Sequence, residues 1–114
     1  TEDFTKIVKR RTPRQLKFFS IATIAQISND AQKEYSVLEV ITADRPGLLA
    51  SIGDIFIDFS IDLINAKIST LGERVEDIFF ITDSNQQPIT DPELCEQIQN
   101  AICQKLDEQV AETS

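Results

Sequence analysis

The chain has 114 residues and 41% hydrophobic content, enough for one domain with a buried core and too short for two ordinary domains. Its net charge of −8 argues against a nucleic-acid surface, and no apolar run approaches the roughly 20 residues that cross a membrane. With no histidine, two cysteines without a CxxC motif and no secretory pattern, we expect a cytoplasmic protein without a metal or redox site.

Residues 1–17 differ from the rest of the chain in charge. They contain six basic and two acidic residues, a net charge of +4, whereas the remainder carries −12. The chain starts at Thr1, and we expect this segment to be a solvated linker from upstream domains of a longer protein. Contact of the basic segment with RNA or a membrane surface is a disfavoured alternative. The domain itself is expected over residues 18–112.

Two strands, a helix, two further strands and a second helix are predicted in that order. The strands are indicated by alternation and apolar runs, and the helices by apolar residues at the i, i+3, i+4 spacing of a buried face. In chain order the predicted bounds are Ser20–Ile27, Tyr35–Ala43, Leu48–Phe59, Leu63–Leu71, Arg74–Asp83 and, for the second helix, about Asp91 to Val110.

This order predicts an α+β two-layer sandwich. The segment Tyr35–Asp91 supplies the β-α-β-β core of a ferredoxin-like fold, whose usual fourth strand would follow the last helix. The extra N-terminal strand pairs with its neighbour through a hairpin and fills that vacant edge. We therefore predict a permuted ferredoxin-like domain with a four-stranded antiparallel sheet in the order 1-2-4-3 and two helices on one face.

The two central strands carry apolar residues on both faces. Because the helices cover one face, the other is left uncovered, and we expect Val37, Ile41, Phe79 and Ile81 to lie on it. An apolar patch at the centre of a sheet usually marks a partner surface. The partner would be a second copy or a neighbouring domain, and the alternative is that the N-terminal segment folds over the patch.

Residues 44–49, Asp-Arg-Pro-Gly-Leu-Leu, stand between the second strand and the first helix. Pro46 suits the first turn of a helix because its φ is fixed and it lacks an N–H. Gly47 carries no Cβ that would keep a small molecule away from the backbone. The N–H groups of Gly47, Leu48 and Leu49 then point outward at the positive end of the helix dipole. The pattern predicts a seat for a small anionic group.

Two motifs resemble a known family of regulatory modules. Val37–Gly53, with its Asp-Arg-Pro-Gly-Leu-Leu sequence, resembles the opening of the ACT domain. The strand motif Gly-Glu-Arg-Val-Glu-Asp-Ile-Phe-Phe-Ile-Thr-Asp, ending at Asp83, is similar to the C-terminal ACT domain of bacterial PII uridylyltransferase/uridylyl-removing enzymes. Residues 13–19 resemble the segment that leads into that domain. The resemblance covers roughly residues 13–110.

The resemblance implies a sensor rather than a catalyst. Enzymes of that family attach uridylyl groups to the PII nitrogen-signalling protein or remove them, through catalytic domains expected to use Mg²⁺ or Mn²⁺. Their tandem C-terminal ACT domains sense glutamine. The present chain lacks the nucleotidyltransferase signature and has no histidine for an HD metal site. We therefore expect no catalytic residue, metal or cofactor in it, and as partners an amino-acid effector and another ACT domain, in tandem or in a homodimer.

The resemblance also implies roles for individual polar residues. The N–H groups around Gly47 are candidate donors to the glutamine carboxylate. Asp44 either faces the ammonium group or bonds the backbone of its own turn. Asp62 stands where many amino-acid-binding ACT domains place a polar contact residue, often Asn. An acid departs from that pattern and would suit an ammonium group, and an ordinary turn residue before Leu63 is the slightly preferred interpretation. The alternative function is dimerisation or interdomain contact without a ligand, and an acylphosphatase-like enzyme is disfavoured by the acidic domain.

Overall fold

The computed structural model describes residues 22–113, with side chains as far as residue 108. The predicted linker over residues 1–17 and the start of the first predicted strand lie outside the described residues. Within the described part, neither helix combines the length and apolar character that a membrane crossing requires. The elements are β1 (Ile24–Asn29), β2 (Ser36–Ala43), α1 (Leu48–Asp58), β3 (Asp62–Lys67), β4 (Thr70–Leu71), β5 (Arg74–Thr82) and α2 (Pro92–Thr113).

The strands form one antiparallel sheet in the order β1-β2-β5-β3, with β4 also paired to β5. Counted as four strands, this is the predicted order 1-2-4-3, so the predicted topology is confirmed. In the central pair, Leu38 lies opposite Phe79 and Val37 lies opposite Phe80. Directly opposed residues of an antiparallel pair share a face of the sheet. This register therefore decides which residues of β5 meet the helices.

The predicted third strand is divided into two pieces. β3 ends at Lys67 and β4 begins at Thr70, and both pieces pair with β5 along the same edge. The interruption, residues 68–69, lies opposite Glu76 and Asp77 in the centre of β5. The sheet thus has five strands where the alternating pattern predicted four. Within the break, the Ser69 carbonyl still accepts from the backbone N–H of Glu76 at 2.8 Å.

Both helices pack on one face of the sheet, as predicted, and bury a single core. Apolar side chains of α1 and α2 meet the inward residues of β2 and β5, and the ring of Phe56 packs edge to face on Phe79 at a centroid distance of 5.6 Å. The core residues are Leu38, Val40, Leu48, Ile52, Ile55, Phe56, Ile61, Val75, Phe79, Ile81, Ile89, Ile98, Ile102 and Leu106.

Phe79 and Ile81 belong to this core, so the prediction that they lie on the uncovered face is wrong. Phe79 is 3% exposed and Ile81 is completely buried. β5 is apolar on both sides, and the side-chain period of a strand is two, so a shift of one residue exchanges the two faces. The pairing of Phe79 with buried Leu38 fixes the choice.

The opposite face of the sheet is also apolar at its centre. Val37 and Ile41 lie on it as predicted, each partly buried. The ring of Tyr35 packs edge to face on Phe80 at 5.3 Å, and the Lys67 ammonium lies 5.8 Å from the Phe80 ring centroid. Both described helices are on the other side of the sheet. We call this the open face because no described helix covers it, and its residues are Val37, Ile41, Ile78 and Phe80.

Candidate functional site

The segment between β2 and α1 is a tight loop fastened at both ends. Beyond Ala43, the backbone N–H of Asp44 donates to the carbonyl of Glu73 at 2.8 Å, which holds the loop against the turn between β4 and β5. Gly47 is the N-cap of α1 and has φ of 75°, a left-handed conformation that favours glycine. Pro46 precedes this cap and so lies just outside the helix, so its predicted place in the first turn is wrong by this short distance. Glycine is therefore required by the turn itself.

The loop exposes the N-terminus of α1. The first four N–H groups of a helix have no partner within the helix. Within residues 22–113 no side chain caps α1, and no acidic side chain lies in its first turn. Leu48 is buried in the core and fixes the direction of the helix, while Leu49 is 51% exposed beside the loop. The positive end of the helix dipole is thus free to face a small anion.

Arg45 braces the loop against the second helix. Its side chain is half-buried, with Nη2 donating to Thr42 Oγ1 at 2.7 Å and Nε donating to the Ala43 carbonyl at 3.1 Å. Nη1 donates to the Leu106 carbonyl of α2. Burial lowers the pKa of Arg45 and the nearby Asp107 partly offsets that effect, but a guanidinium remains charged in proteins. The side chain of Arg45 therefore links the loop to α2 by a hydrogen bond.

A cleft of about 260 Å³ opens between the loop and the interrupted edge of the sheet. It lies on the helix-covered side of β5, beside the break between β3 and β4. Its walls combine backbone of the loop, exposed apolar side chains and three charged residues. The residues that line this loop cleft are Asp44, Arg45, Gly47, Leu48, Leu49, Ile68, Thr70, Val75 and Asp77.

Asp77 is the unusual member of the lining. It is 1% exposed, and among the described residues neither of its carboxylate oxygens has a hydrogen-bond partner. Burial raises the pKa of the Asp77 carboxyl, and the charge of Asp44 raises it further. The backbone N–H of Ser69 lowers this pKa in part without reaching hydrogen-bond geometry. A buried carboxyl without a partner is costly in a folded domain and calls for a functional explanation.

Replacing Asp77 with asparagine is expected to stabilise the chain by about 1 kcal/mol at neutral pH, because a charge without a partner is removed. Folded Asp77 keeps its proton to a higher pH than unfolded Asp77. The folded state therefore binds more protons between the ordinary carboxyl pKa and the raised one, and its stability falls as pH rises through that window. Urea unfolding between about pH 4 and 8 measures this. Asp77→Asn should remove the fall.

Asp62→Asn is the matched control for this experiment. Asp62 is an exposed aspartate at the start of β3, so its replacement should change the unfolding free energy by less than about 0.5 kcal/mol. A loss of stability in Asp77→Asn at neutral pH would contradict the description of Asp77 as a carboxyl without a partner.

The structure brings most of the predicted effector residues together but separates Asp62 from them. Asp44 follows Ala43, which pairs with Arg74 at the first residue of β5, whereas Asp62 pairs with Thr82 at its last residue. These two points are eight residue steps apart along β5, roughly 26 Å. Asp62 instead borders a second cleft, of about 600 Å³, beside Tyr35 and Gln86. One small ligand in a single copy of the chain cannot contact both Asp44 and Asp62.

Two residues of the site, Arg45 and Asp77, were not among the site residues predicted from the sequence. Arg74, on the surface of the same strand as Asp77, forms an ion pair with Glu76 at 2.9 Å. The signal for Asp77 was present: it shares its face of β5 with Val75 and Phe79, and one carboxylate among inward apolar residues is anomalous. The signal was lost because that face was assigned to the outside of the sheet.

The two cysteines are free and contribute to packing. The Cys95 thiol donates to the Ile89 carbonyl at 3.3 Å, and the Cys103 thiol donates to the Thr23 carbonyl at 3.5 Å. Burial raises the pKa of both thiols above the ordinary value. A raised pKa keeps a thiol protonated, which disfavours nucleophilic chemistry.

The permuted α+β sandwich with a glycine-capped loop after its second strand defines the structural class of the chain, a ferredoxin-like α+β domain. Comparison with family models places the chain within that class. The model described as the ACR family N-terminal ACT domain matches residues 31–109. The chain therefore belongs to the ACT domain family.

Curated relatives connect the chain with longer proteins. It is 59% identical over 105 residues to the bifunctional uridylyltransferase/uridylyl-removing enzymes of Pseudomonas syringae pv. tomato and of Pseudomonas fluorescens, in each case 92% of this chain. The enzyme of the same name from Azotobacter vinelandii is 57% identical over 91% of the chain. The chain spans 12% of the length of each of these relatives.

A solved structure supports the fold alone. The crystal structure of an unknown protein from Galdieria sulphuraria matches with a TM-score of 0.52 and 20% sequence identity. The match covers 64% of this chain and 39% of that one. At this identity the likeness concerns the arrangement of strands and helices and carries no information about a ligand.

Proposed function

We propose that this chain is the effector-sensing domain of a bifunctional uridylyltransferase/uridylyl-removing enzyme and that its effector is glutamine. The observation that carries the proposal is the loop cleft, bordered by residues 44–49 and the free N-terminus of α1. Its volume of about 260 Å³ lies just below the range of about 300–1,000 Å³ that holds drug-sized ligands. A space of this size suits a free amino acid.

The lining of the cleft supports an amino acid over a neutral metabolite. The N–H groups at the start of α1 suit a carboxylate, which the helix dipole also favours. Leu49 and Ile68 offer apolar surface to the methylene groups of a side chain, and the Thr70 hydroxyl offers a hydrogen bond to an amide. The carboxylate, the methylene groups and the side-chain amide of glutamine thus each have a counterpart in the cleft.

The relatives support a proposal about the longer protein as well. We propose that the chain is one regulatory part of a cytoplasmic enzyme that uridylylates and deuridylylates the PII protein in nitrogen control. Catalysis and its Mg²⁺ or Mn²⁺ belong to other domains of that enzyme. Glutamine would act by binding more tightly to one arrangement of the domains than to another, which shifts the balance between the two activities.

Contact with another domain is the second candidate function. The open face favours it, because Val37, Ile41, Ile78 and Phe80 form an apolar surface at the centre of the sheet. Its partner would be another ACT domain, in tandem or in a second copy. The loop cleft lies on the helix side of the sheet, so the two functions do not exclude each other.

The test fills the cleft in the longer enzyme that contains this chain. Leu49→Trp places an indole at the cleft mouth, and Leu63→Trp makes the same change at a leucine with the same 51% exposure on β3, outside the cleft lining. The measurement is the ratio of uridylyl-transfer rates with and without glutamine. We expect Leu49→Trp to bring this ratio close to one and Leu63→Trp to leave it as in the unmodified enzyme.

Two results would count against the proposal. A ratio that survives in Leu49→Trp would remove the cleft as the site of glutamine. A ratio lost equally in Leu63→Trp would point to the surface of the domain, and therefore to interdomain contact, as the feature that matters.

A further inference from the structure

Asp77 and the N-terminus of α1 place opposite charges at one small cleft. The helix end contributes partial positive charge through its free N–H groups, and Asp77 contributes a carboxyl that is 1% exposed and has no hydrogen-bond partner among the described residues. Both line the loop cleft. A ligand that satisfied both would carry an anion and a cation a few bonds apart, as a free α-amino acid does.

We propose that Asp77 is the residue that receives the ammonium group of the effector. This inference rests on the proposed function and deepens it, since it names the acceptor of the ligand's positive end. Buried carboxylates in folded proteins are normally hydrogen-bonded or paired with a cation. Asp77 is neither within residues 22–113, and the space that it borders is the cleft itself.

The other charged groups of the cleft are less suited to this role. Asp44 is exposed, so water competes for its carboxylate and screens a pair made there. Arg45 has the wrong sign for an ammonium group, and its N–H groups bond Thr42, Ala43 and Leu106. Asp62, the other acid considered from the sequence, lies at the far end of β5. Asp77 combines burial, a free carboxyl and a position in the cleft.

The role makes binding selective for a free amino group. A ligand whose amino group is acylated would leave the Asp77 carboxyl without a partner and would also crowd the cleft. A ligand with a free ammonium group would gain a charge-assisted hydrogen bond in a poorly solvated place, where such bonds are strongest. Preference for glutamine over N-acetylglutamine is therefore the property that Asp77 should control.

The first experiment measures that preference by calorimetric titration of the longer enzyme with L-glutamine and with N-acetyl-L-glutamine. The unmodified enzyme should bind glutamine at least about tenfold more tightly, as expected for a desolvated charge pair. Asp77→Asn, which keeps the size of the side chain, should reduce this preference to about twofold or less. Asp62→Asn should keep the full preference.

The outcomes separate this inference from the proposed function. If Asp77→Asn binds glutamine with an unchanged preference, the assignment of Asp77 is overturned while glutamine sensing stands. If the unmodified enzyme binds neither compound, glutamine sensing fails, and the role of Asp77 is decided by a second measurement on the 114-residue chain. That measurement follows the carboxyl carbon of Asp77 by nuclear magnetic resonance through a pH titration.

Methylammonium chloride serves as the probe in this second measurement, and sodium chloride at equal ionic strength is the control. An ammonium group held at Asp77 stabilises the charged carboxylate, so methylammonium should lower the pH at which Asp77 titrates relative to sodium. The charged groups lining the cleft around it are Asp44 and Arg45, and both salts screen them equally. The same titration in both salts would overturn the inference.

Discussion

Replacing Phe79 with alanine is expected to destabilise the chain by about 3–5 kcal/mol. Phe79 is 3% exposed, and its ring packs on Phe56 of α1, so truncation removes a large buried surface and leaves a cavity between helix and sheet. Phe80→Ala makes the same chemical change one residue later, on the open face. There the ring is only partly buried against Tyr35, and the expected loss is about 1 kcal/mol. Urea unfolding of both variants measures the difference.

The two phenylalanines form a matched pair because they differ in the face of the sheet and in little else. The comparison therefore tests the register of β2 against β5, which pairs Phe79 with Leu38 and Phe80 with Val37. An equal or larger loss in Phe80→Ala would contradict the assignment of the helices to the Phe79 face. It would also show that the open face is covered in solution.

The order of the elements could be predicted from the sequence, but the face of the sheet that the helices cover could not. Helix α1 is indicated by the helical spacing of the apolar residues Ile52, Ile55 and Phe56. The hairpin turn is indicated by Gly72, which has a positive φ. These are local signals. Which side of β5 meets the helices depends on its long-range pairing with β2. Because β5 is apolar on both sides, its own sequence does not indicate which side faces the helices.

The residues of the candidate site also differ in whether local sequence or long-range pairing determines their place. The loop over residues 44–49 was recognisable because a glycine with positive φ and a helix start are encoded within a few residues. Asp77 lies on β5, about thirty residues after the loop in sequence. The pairing of β5 with β2 brings it beside the loop, and the break between β3 and β4 lies next to it. Asp62 was drawn into the prediction by resemblance alone, and the length of β5 keeps it apart from the loop.

Arg45 provides a physical route from the loop cleft to the rest of the domain. It lines the cleft and at the same time donates to Thr42 at the end of β2 and to the Leu106 carbonyl of α2. Thr42 in turn shares a hydrogen bond of 2.8 Å with Thr23, just before β1. Arg45 thus links the loop to α2 and, through Thr42, to Thr23 by defined hydrogen bonds. The contribution of these bonds to stability can be measured.

Arg45→Met is expected to destabilise the chain by about 2–3 kcal/mol, since it removes charge-assisted hydrogen bonds that link three elements. Methionine keeps much of the apolar stem, so the loss reports the guanidinium. Arg74→Met is the control: its ion pair with Glu76 is largely exposed and should contribute less than about 1 kcal/mol. Urea unfolding measures the free energy of unfolding of both variants. Amide hydrogen exchange in α2 around Leu106 should become faster in Arg45→Met and stay unchanged in Arg74→Met. Equal losses in the two variants, with α2 unchanged, would mean that Arg45 fills space and transmits nothing.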